Sequence, residues 1–146
     1  MSNNLNGKKI LIAGAGGLLG SQLVKKVIDE GGYVYAGDFD LVSTQDKLNN
    51  LNIDGGYELH QLDVTSLESV QRIFAIAPDL DGAVNTTYPR NKTYGAHFYD
   101  VTLESFNENL SLHLGSSFLF SQQCAAYFQK NQHPFSLVNI SSIYGV

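Results

Sequence analysis

The chain has 146 residues, of which 43% are hydrophobic and 16% charged, and its formal net charge is −5 at pH 7. This size and composition predict one globular domain over residues 1–146 with its own apolar core. The negative charge argues against nucleic acid as a partner, because phosphate backbones are bound by basic surfaces. The single cysteine, Cys124, excludes an internal disulfide, and the sequence shows neither a signal peptide nor an apolar run of membrane-spanning length. We therefore expect a cytoplasmic protein that contacts no membrane.

Apolar runs of strand length alternate with segments of helical spacing, a pattern typical of a parallel sheet covered on both faces. Strands are predicted over residues 9–13, 33–37, 57–62, 81–85 and 135–140. Among the intervening helices, the second covers residues 43–51 and the longest covers 103–130, and Ser66 and Thr102 are predicted N-caps. The elements predict an α/β, Rossmann-type, doubly wound sheet of five strands in the order 3-2-1-4-5.

The first predicted strand leads directly into a glycine-rich turn at the start of a helical segment. Gly14 permits a sharp exit from the strand, and Gly20 allows the helix to pack closely on the sheet. Gly16 and Gly17 are expected to let backbone N–H groups approach a pyrophosphate, because they put no side chain in the way. A strand before, an amphipathic helix after and an acid about twenty residues on favour a dinucleotide site over an ordinary turn. The candidate residues in this turn are Gly14, Gly16, Gly17, Leu18, Leu19 and Gly20.

Acidic residues follow the second and third predicted strands. Asp38 comes at the end of the second strand, where a carboxylate accepts hydrogen bonds from the adenosine ribose hydroxyls and repels a 2′-phosphate. No Arg or Lys lies in the glycine turn or directly after Asp38, so the sequence favours NAD over NADP. The alternative is a solvated carboxylate at a strand end. Asp63 follows the third strand and either meets the adenine amino group or caps the next helix.

Together these motifs resemble the short-chain dehydrogenase/reductase family, and the resemblance covers the whole chain. Residues 13–20 are similar to the family's glycine motif, in the GxxGxxG spacing more typical of its extended members and with Ala13 in place of the opening Thr. Asp63 and Val64 resemble the pair that contacts adenine. Asn85 is the residue kept from the family's Asn-Asn-Ala-Gly after strand four. The resemblance implies a cofactor site that includes Asp63, Val64 and Asn85.

Residues 137–145 resemble the strand that ends in the family's catalytic serine, and this resemblance assigns that role to Ser142. The family's acid/base pair, Tyr-x-x-x-Lys, lies downstream of the serine, and no such motif follows Ser142 in the 146 residues. Tyr144 is too close to Ser142 to replace it. We therefore expect an apparently truncated family member that binds a dinucleotide but does not transfer hydride efficiently.

His113 lies on the longest predicted helix, at the position where the family carries an Asn that anchors a proton-relay water. In one interpretation the imidazole replaces this Asn as a catalytic group. In the other it is a satisfied core histidine, because His113 shares a helical stripe with Leu110, Leu114 and Phe118.

The segment after strand four is rich in tyrosines and basic residues and faces the substrate in this family. Tyr88, Arg90 and Lys92 are candidate substrate-binding residues, suited to an anionic, ring-containing small molecule such as a sugar phosphate or nucleotide sugar. Solvated loop charges are the alternative. Residues 88–95 and 104–115 resemble a subgroup of oxidoreductases associated with flagellin modification and sugar (nonulosonic acid) biosynthesis. The four histidines lack metal-ligand spacing, so no metal site is expected.

Two other functions stay open. The GxxGxxG spacing also suits nucleotide-sugar epimerases and dehydratases, in which the cofactor is reduced and reoxidised within one turnover. A non-enzymatic dinucleotide-binding protein, or an inactive fragment, is favoured by the missing Tyr and Lys.

The fifth predicted strand is apolar and lies at an edge of the sheet. Because a bare apolar edge invites pairing with another strand, we expect it to contact a second copy or a continuation of the chain. A homo-oligomer is thus expected for the full-length protein.

Overall fold

The computed structural model describes residues 3–142, and within them five parallel strands form one sheet. The strands are β1 (Lys9–Ala13), β2 (Tyr33–Asp38), β3 (Tyr57–Gln61), β4 (Gly82–Asn85) and β5 (Ser136–Asn139). Their order, β3-β2-β1-β4-β5, confirms the predicted Rossmann-type topology. The strand order reverses between β1 and β4, and in such folds ligands bind beside the carboxyl ends of the strands at this reversal.

Five α-helices connect or follow the strands: α1 (Leu18–Asp29), α2 (Leu41–Asn50), α3 (Leu67–Ile76), α4 (Leu103–Leu110) and α5 (Ser116–Asn131). Each of Asp40, Ser66 and Thr102 accepts a hydrogen bond from the backbone N–H three residues later, at 3.0, 3.3 and 3.1 Å. The predicted caps Ser66 and Thr102 are confirmed, whereas α2 begins two residues earlier than predicted because Asp40 caps it. None of these helices, within residues 3–142, has the length and apolar character that a membrane crossing requires.

The longest predicted helix is interrupted in the structure. Ser111–Gly115 forms a π-helical turn between α4 and α5. Such a turn accommodates an extra residue. The prediction of a core stripe is wrong: Leu110, Leu114 and Phe118 are exposed, while His113 is half-buried.

Helices cover both faces of the sheet, and each face has its own core. Under α1 and α2 the buried side chains include Ile12, Val24, Val34, Ala36 and Leu48. Under α3 and α5 they include Leu11, Val70, Ile73, Phe120 and Cys124. Burial raises the pKa of the Cys124 thiol to about 12, so this cysteine is a protonated packing residue.

The amino edge of the sheet carries a cluster of charges around Asp81. Its carboxylate accepts hydrogen bonds from Lys8 Nζ at 2.8 Å and from the backbone N–H of Lys9 at 2.9 Å, and it lies 3.1 Å from Nε2 of His133. Burial by itself raises the pKa of Asp81, but these hydrogen bonds outweigh burial and hold the pKa below its usual value. This end of the strands is therefore covered by hydrogen-bonded charged side chains.

Candidate functional site

A cleft of about 1150 Å³ crosses the carboxyl edge of the sheet. One side, the glycine wall, consists of the turn between β1 and α1 together with the residues that follow β2 and β3. The other side, the loop wall, consists of residues 86–90 and Leu112 of the π-helical turn. The predicted site residues in the lining are Gly14, Gly16, Gly17, Leu18, Asp38, Asp63, Val64, Tyr88 and Arg90. The structure thus brings most of the predicted site together.

Two positions of the glycine wall require glycine. Gly14 has a φ of +83°, which an L side chain rarely adopts. A Cβ on Gly20 would lie 1.9 Å from the carbonyl oxygen of Gly14, so α1 packs on the turn only because residue 20 lacks a side chain. No side chain caps α1, and the N–H groups of its first turn, from Leu18 and Leu19 onward, have no intrahelical acceptor. The positive end of α1 is suited to an anion.

Gly16 and Gly17 both donate their own N–H groups within the chain. The N–H of Gly16 donates to Oδ2 of Asp38 at 2.8 Å, and the N–H of Gly17 donates to the carbonyl of Gly14 at 2.9 Å. Their role in admitting other backbone N–H groups to a pyrophosphate stays a prediction. A Cβ on Gly16 would lie 2.2 Å from Oγ1 of Thr44, so glycine here lets α2 and Asp38 approach the turn.

Asp38 is the last residue of β2, and its carboxylate is held by two backbone donors. Besides Gly16, the N–H of Asp40 donates to Oδ1 of Asp38 at 3.2 Å. The half-buried side chain lines the cleft beside the glycine turn. A carboxylate in this position keeps lone pairs available for hydroxyl donors and opposes a second negative charge.

Asp63 and Val64 lie directly after β3 and line the same wall. Oδ1 of Asp63 accepts hydrogen bonds from the N–H and hydroxyl of Thr65, at 2.9 and 2.6 Å, which fixes the turn into α3. The backbone N–H of Asp63 donates to Ser69 Oγ at 2.9 Å. Asp63 therefore organises a turn and also faces the cleft, while the buried Val64 contributes apolar surface.

Asn85 is buried at the end of β4 and does not line the cleft. Its Oδ1 accepts hydrogen bonds from the N–H and hydroxyl of Thr87, at 3.1 and 2.6 Å. Thr86 Oγ1 donates to the carbonyl of Ala13 at 2.8 Å and lies 3.1 Å from that of Gly14, so it connects the two walls. Thr86 and Thr87 also line the cleft, although they were not predicted as site residues. Their position directly after a buried strand would have indicated this, because ligands bind beside the carboxyl ends of parallel strands.

His113 lies beneath the loop wall. Tyr88 stacks on the imidazole, with ring centroids 4.4 Å apart, and Tyr94 meets it edge-on at 5.3 Å. The Tyr88 and Tyr94 hydroxyls are 2.5 Å apart, and the Arg90 guanidinium lies 5.8 Å from the Tyr94 ring centroid. Nε2 of His113 is buried with no hydrogen-bond partner among residues 3–142. A satisfied core histidine would need a partner for this nitrogen, which these residues do not provide.

Two candidate substrate residues, Tyr88 and Lys92, happen to have the spacing Tyr-x-x-x-Lys. They lie in a loop rather than on a helix, and Lys92 lines an adjoining cavity of about 450 Å³ rather than the main cleft. The hydrogen bond with Tyr94, followed by burial, raises the pKa of Tyr88. An acid/base tyrosine needs a lowered pKa, and the pKa of Tyr88 is shifted in the opposite direction. Arg90 lines both cavities.

Ser142 follows the end of β5 by three residues and is exposed. Residues 143–145 of the predicted serine motif, with Tyr144, lie outside the described residues. Leu19 and Gly20 adjoin the cleft in sequence but do not line it. Within residues 3–142, no three His, Cys, Asp or Glu side chains are grouped so that they could hold a metal ion.

Comparisons with known proteins agree with this geometry. A family model described as "Enoyl-(Acyl carrier protein) reductase", a model of short-chain dehydrogenases, matches residues 14–146. Post-translational flagellin modification protein A of Campylobacter coli is 34% identical over 97% of this chain and 58% of its own length. The chain belongs to the short-chain dehydrogenase/reductase family. The predicted resemblance, including its flagellin-modification subgroup, is confirmed.

Solved structures of short-chain dehydrogenases superpose on most of the chain. One from Mycobacterium smegmatis has a TM-score of 0.80 and 29% identity, over 98% of this chain and 60% of the other. One from Leptospira borgpetersenii serovar Hardjo-bovis, solved with bound NAD+, has a TM-score of 0.74 and 26% identity, over 97% of this chain and 54% of the other. The chain thus spans less than two thirds of the length of these relatives.

Proposed function

We propose that this chain is the NAD-binding part of a short-chain oxidoreductase that acts on a hydroxyl or keto group of a sugar-like substrate. The observation that carries the proposal is the Asp38 carboxylate, held by the N–H of Gly16 at the rim of the cleft. The bound NAD+ of the Leptospira structure supports the choice of cofactor.

The residues present fit a dinucleotide. The close approach of α1 to the Gly14 turn, which a Cβ on Gly20 would prevent, leaves a cradle at the positive end of the helix for a pyrophosphate. Asp38 would accept hydrogen bonds from the ribose hydroxyls, and Asp63 and Val64 would border the adenine. When bound, the nicotinamide supplies the hydride chemistry. Asn85 acts indirectly, by holding Thr87 and the start of the loop wall.

The substrate assignment rests on the loop wall and on the Campylobacter relative. Arg90 offers a charged, forked donor at the cleft, and Tyr88 offers an aromatic face, a combination suited to an anionic sugar. The relative's name connects it to flagellin modification, which supports a role for this chain in flagellin glycan biosynthesis. Lys92 contributes charge at the adjoining cavity.

Ser142 is the proposed catalytic hydroxyl, which orients the reacting carbonyl or alcohol, and His113 is the proposed relay group. The acid/base Tyr and its Lys are not found after Ser142 in the sequence, so residues 1–146 are expected to bind NADH without efficient hydride transfer. The intramolecular redox cycle of an epimerase or dehydratase is the second candidate function, favoured by the GxxGxxG spacing. A stoichiometric change in NADH absorbance during turnover would argue against that candidate.

The test of the proposal compares NADH and NADPH binding by calorimetry in wild type and in Asp38→Arg. The substitution should weaken NADH binding and improve NADPH binding relative to it, because it replaces the hydroxyl acceptor with a phosphate partner. Asp54→Arg makes the same charge change at an exposed position away from the cleft and should alter neither. An unchanged NADH-to-NADPH ratio in Asp38→Arg would reject the NAD assignment. Failure of wild type to bind either nucleotide would reject the proposed function.

The relay role of His113 has its own test. In a form of the protein that turns over substrate, His113→Asn should change the pH–rate profile, because an imidazole nitrogen can pass on a proton and a carboxamide cannot. A superimposable profile in the active variant would leave His113 without a part in proton transfer.

We also propose that the protein assembles with a second copy. A row of exposed apolar side chains runs along α4, the π-helical turn and α5. Its members, each between 48% and 75% exposed, are Leu103, Phe106, Leu110, Leu114 and Phe118. An apolar row of this kind on a surface helix marks a contact site, and β5 adds an open sheet edge with half-exposed Val138. Light scattering after size exclusion should give a mass above 16.0 kDa. A monomer at high concentration, or coverage of the row by a longer form of the same chain, would overturn the proposal.

A further inference from the structure

Two Asn-x-Thr triplets occur in the segment after β4, and the structure uses both in the same way. Oδ1 of Asn85 accepts hydrogen bonds from the N–H and hydroxyl of Thr87. Oδ1 of Asn91 accepts the equivalent bonds from the N–H and hydroxyl of Thr93, at 3.1 and 3.0 Å. Each triplet is a side-chain-closed turn. The segment between the two turns contains Tyr88 and Arg90, which line the cleft.

Each of these asparagines also bonds a second asparagine on a packed element. Asn85 Nδ2 donates to Asn139 Oδ1 on β5 at 3.3 Å. Asn91 and Asn109 of α4 form a reciprocal pair: Asn109 Nδ2 donates to Asn91 Oδ1 at 2.8 Å, and the Asn91 backbone N–H donates to Asn109 Oδ1 at 3.0 Å. The first turn is thereby attached to the sheet and the second to a helix.

The Asn91 side chain makes further bonds to α4. Its Nδ2 donates to Glu108 Oε2 at 2.7 Å and lies 3.1 Å from Ser105 Oγ. Between residues 90 and 104 every residue except Asn91 is exposed. Apolar burial therefore does little to hold this part of the loop. Polar contacts with α4 hold it instead, mainly those of Asn91, together with a contact between the hydroxyls of Thr93 and Ser105.

We propose that Asn91 and Asn109 form a latch that positions the loop wall, with its Tyr88 ring stacked on His113 and Arg90 at the cleft. Asn91 is a positioning residue, since it acts through Tyr88 and Arg90 rather than by touching cofactor or substrate. The proposal rests on the proposed function only in treating the loop wall as the substrate side of the cleft. Opening the latch should loosen this wall while leaving the glycine wall unchanged.

The experiment records NMR spectra of the His113 ring in the whole chain and measures NADH affinity in the same samples. In Asn91→Ala the His113 ring protons should lose the shift imposed by the stacked Tyr88 ring, because the loop leaves α4. Asn109→Ala should produce a smaller change of the same kind, because it removes the reciprocal pair but leaves the bonds of Asn91 to Glu108 and Ser105. The change in the double variant should fall short of the sum of the two single changes, because the variants share the bond from Asn109 Nδ2 to Asn91 Oδ1. NADH affinity should stay at the wild-type value, because Asp38 and the glycine turn are untouched. Asn49→Ala, an exposed asparagine on α2, is the matched control and should move neither reading.

A second pair of variants tests the latch if alanine at residue 91 disturbs folding. Asn91→Asp preserves shape and the Oδ1 acceptor but places a carboxylate against Glu108, so it should release the loop at neutral pH. Adding Glu108→Gln restores a donor to that position and should restore the wild-type His113 signals. His113 signals that stay at wild-type positions in Asn91→Ala and Asn91→Asp would overturn the latch. Loss of NADH binding in wild type would instead count against the proposed function and leave the latch intact.

Discussion

In the glycine wall, backbone groups and glycines determine the geometry: the carbonyl of Gly14 fits against Gly20, and the N–H of Gly16 bonds Asp38. In the loop wall, side chains determine it through amide pairs, a Tyr–His stack and a Tyr–Tyr hydroxyl contact. Most of the loop between residues 86 and 101 is exposed, whereas the residues below the glycine turn are buried. The glycine wall is therefore fixed by the backbone of the sheet and α1, whereas the loop wall is held on the fold by side-chain contacts.

This difference assigns distinct duties to the two walls. A wall made of backbone permits few substitutions, because any added atom meets other main-chain atoms. A wall made of side-chain contacts can change composition while the sheet stays the same. Under the proposed function, dinucleotide binding suits the first arrangement, and selection among substrates suits the second.

The largest expected effect comes from Gly20→Ala. The new Cβ would lie 1.9 Å from the Gly14 carbonyl oxygen, and neither backbone segment can move without disturbing β1 or α1. We expect a loss of about 3 kcal/mol or more in the free energy of unfolding, and loss of NADH binding. Urea denaturation and calorimetry measure the two effects. Gly55→Ala is the control, because a Cβ there meets nothing within 4 Å. Equal stability of the two variants would show that the glycine wall is not tightly determined.

Thr86→Val should have an intermediate effect, since it removes the hydroxyl that connects the two walls. The carbonyls of Ala13 and Gly14 lose a donor in a partly buried place, which should cost about 1–2 kcal/mol of stability. We expect NADH affinity to fall as well, because the glycine turn loses its contact with the end of β4. A wild-type melting curve for Thr86→Val would mean that the walls are mechanically independent.

The smallest effect is expected far from both walls, at Asp81. Asp81→Asn removes the charge that Lys8 and His133 contact, and partly exposed partners of this kind contribute about 1 kcal/mol at neutral pH. Because the folded state lowers the pKa of Asp81, its stabilising contribution is complete above the ordinary carboxyl pKa of about 4 and is lost as the pH falls through the lowered value. Denaturation of both proteins between pH 7 and pH 2 should show the difference shrinking with acid, with NADH affinity at pH 7 unchanged. A constant difference across this range would contradict the assignment.

Local sequence patterns predicted the glycine turn, the place of Asp38 and the caps Ser66 and Thr102, because each depends on residues near one another in the chain. The sheet order is a long-range property, and it was predicted from the alternation of strands and helices together with the topology rules for such sheets. The bond between Gly16 and Asp38 spans 22 residues and the Asn91–Asn109 pair spans 18, and no spacing rule announces either. The prediction of one unbroken helix over residues 103–130 was wrong for another reason. It assumed a uniform helical period through residues 111–115, where the structure has a π-helical turn.

That turn has a consequence for insertions and deletions. Removing one residue between Ser111 and Gly115 would let α4 and α5 join as a single regular helix. The side chains of α4 would then rotate by about 100° about the helix axis relative to those of α5. Asn109 would turn away from Asn91 while Phe120 and Cys124 stayed in the core. The extra residue therefore changes the rotation of α4 relative to α5, so that α5 packs on the sheet while α4 turns Asn109 toward the loop.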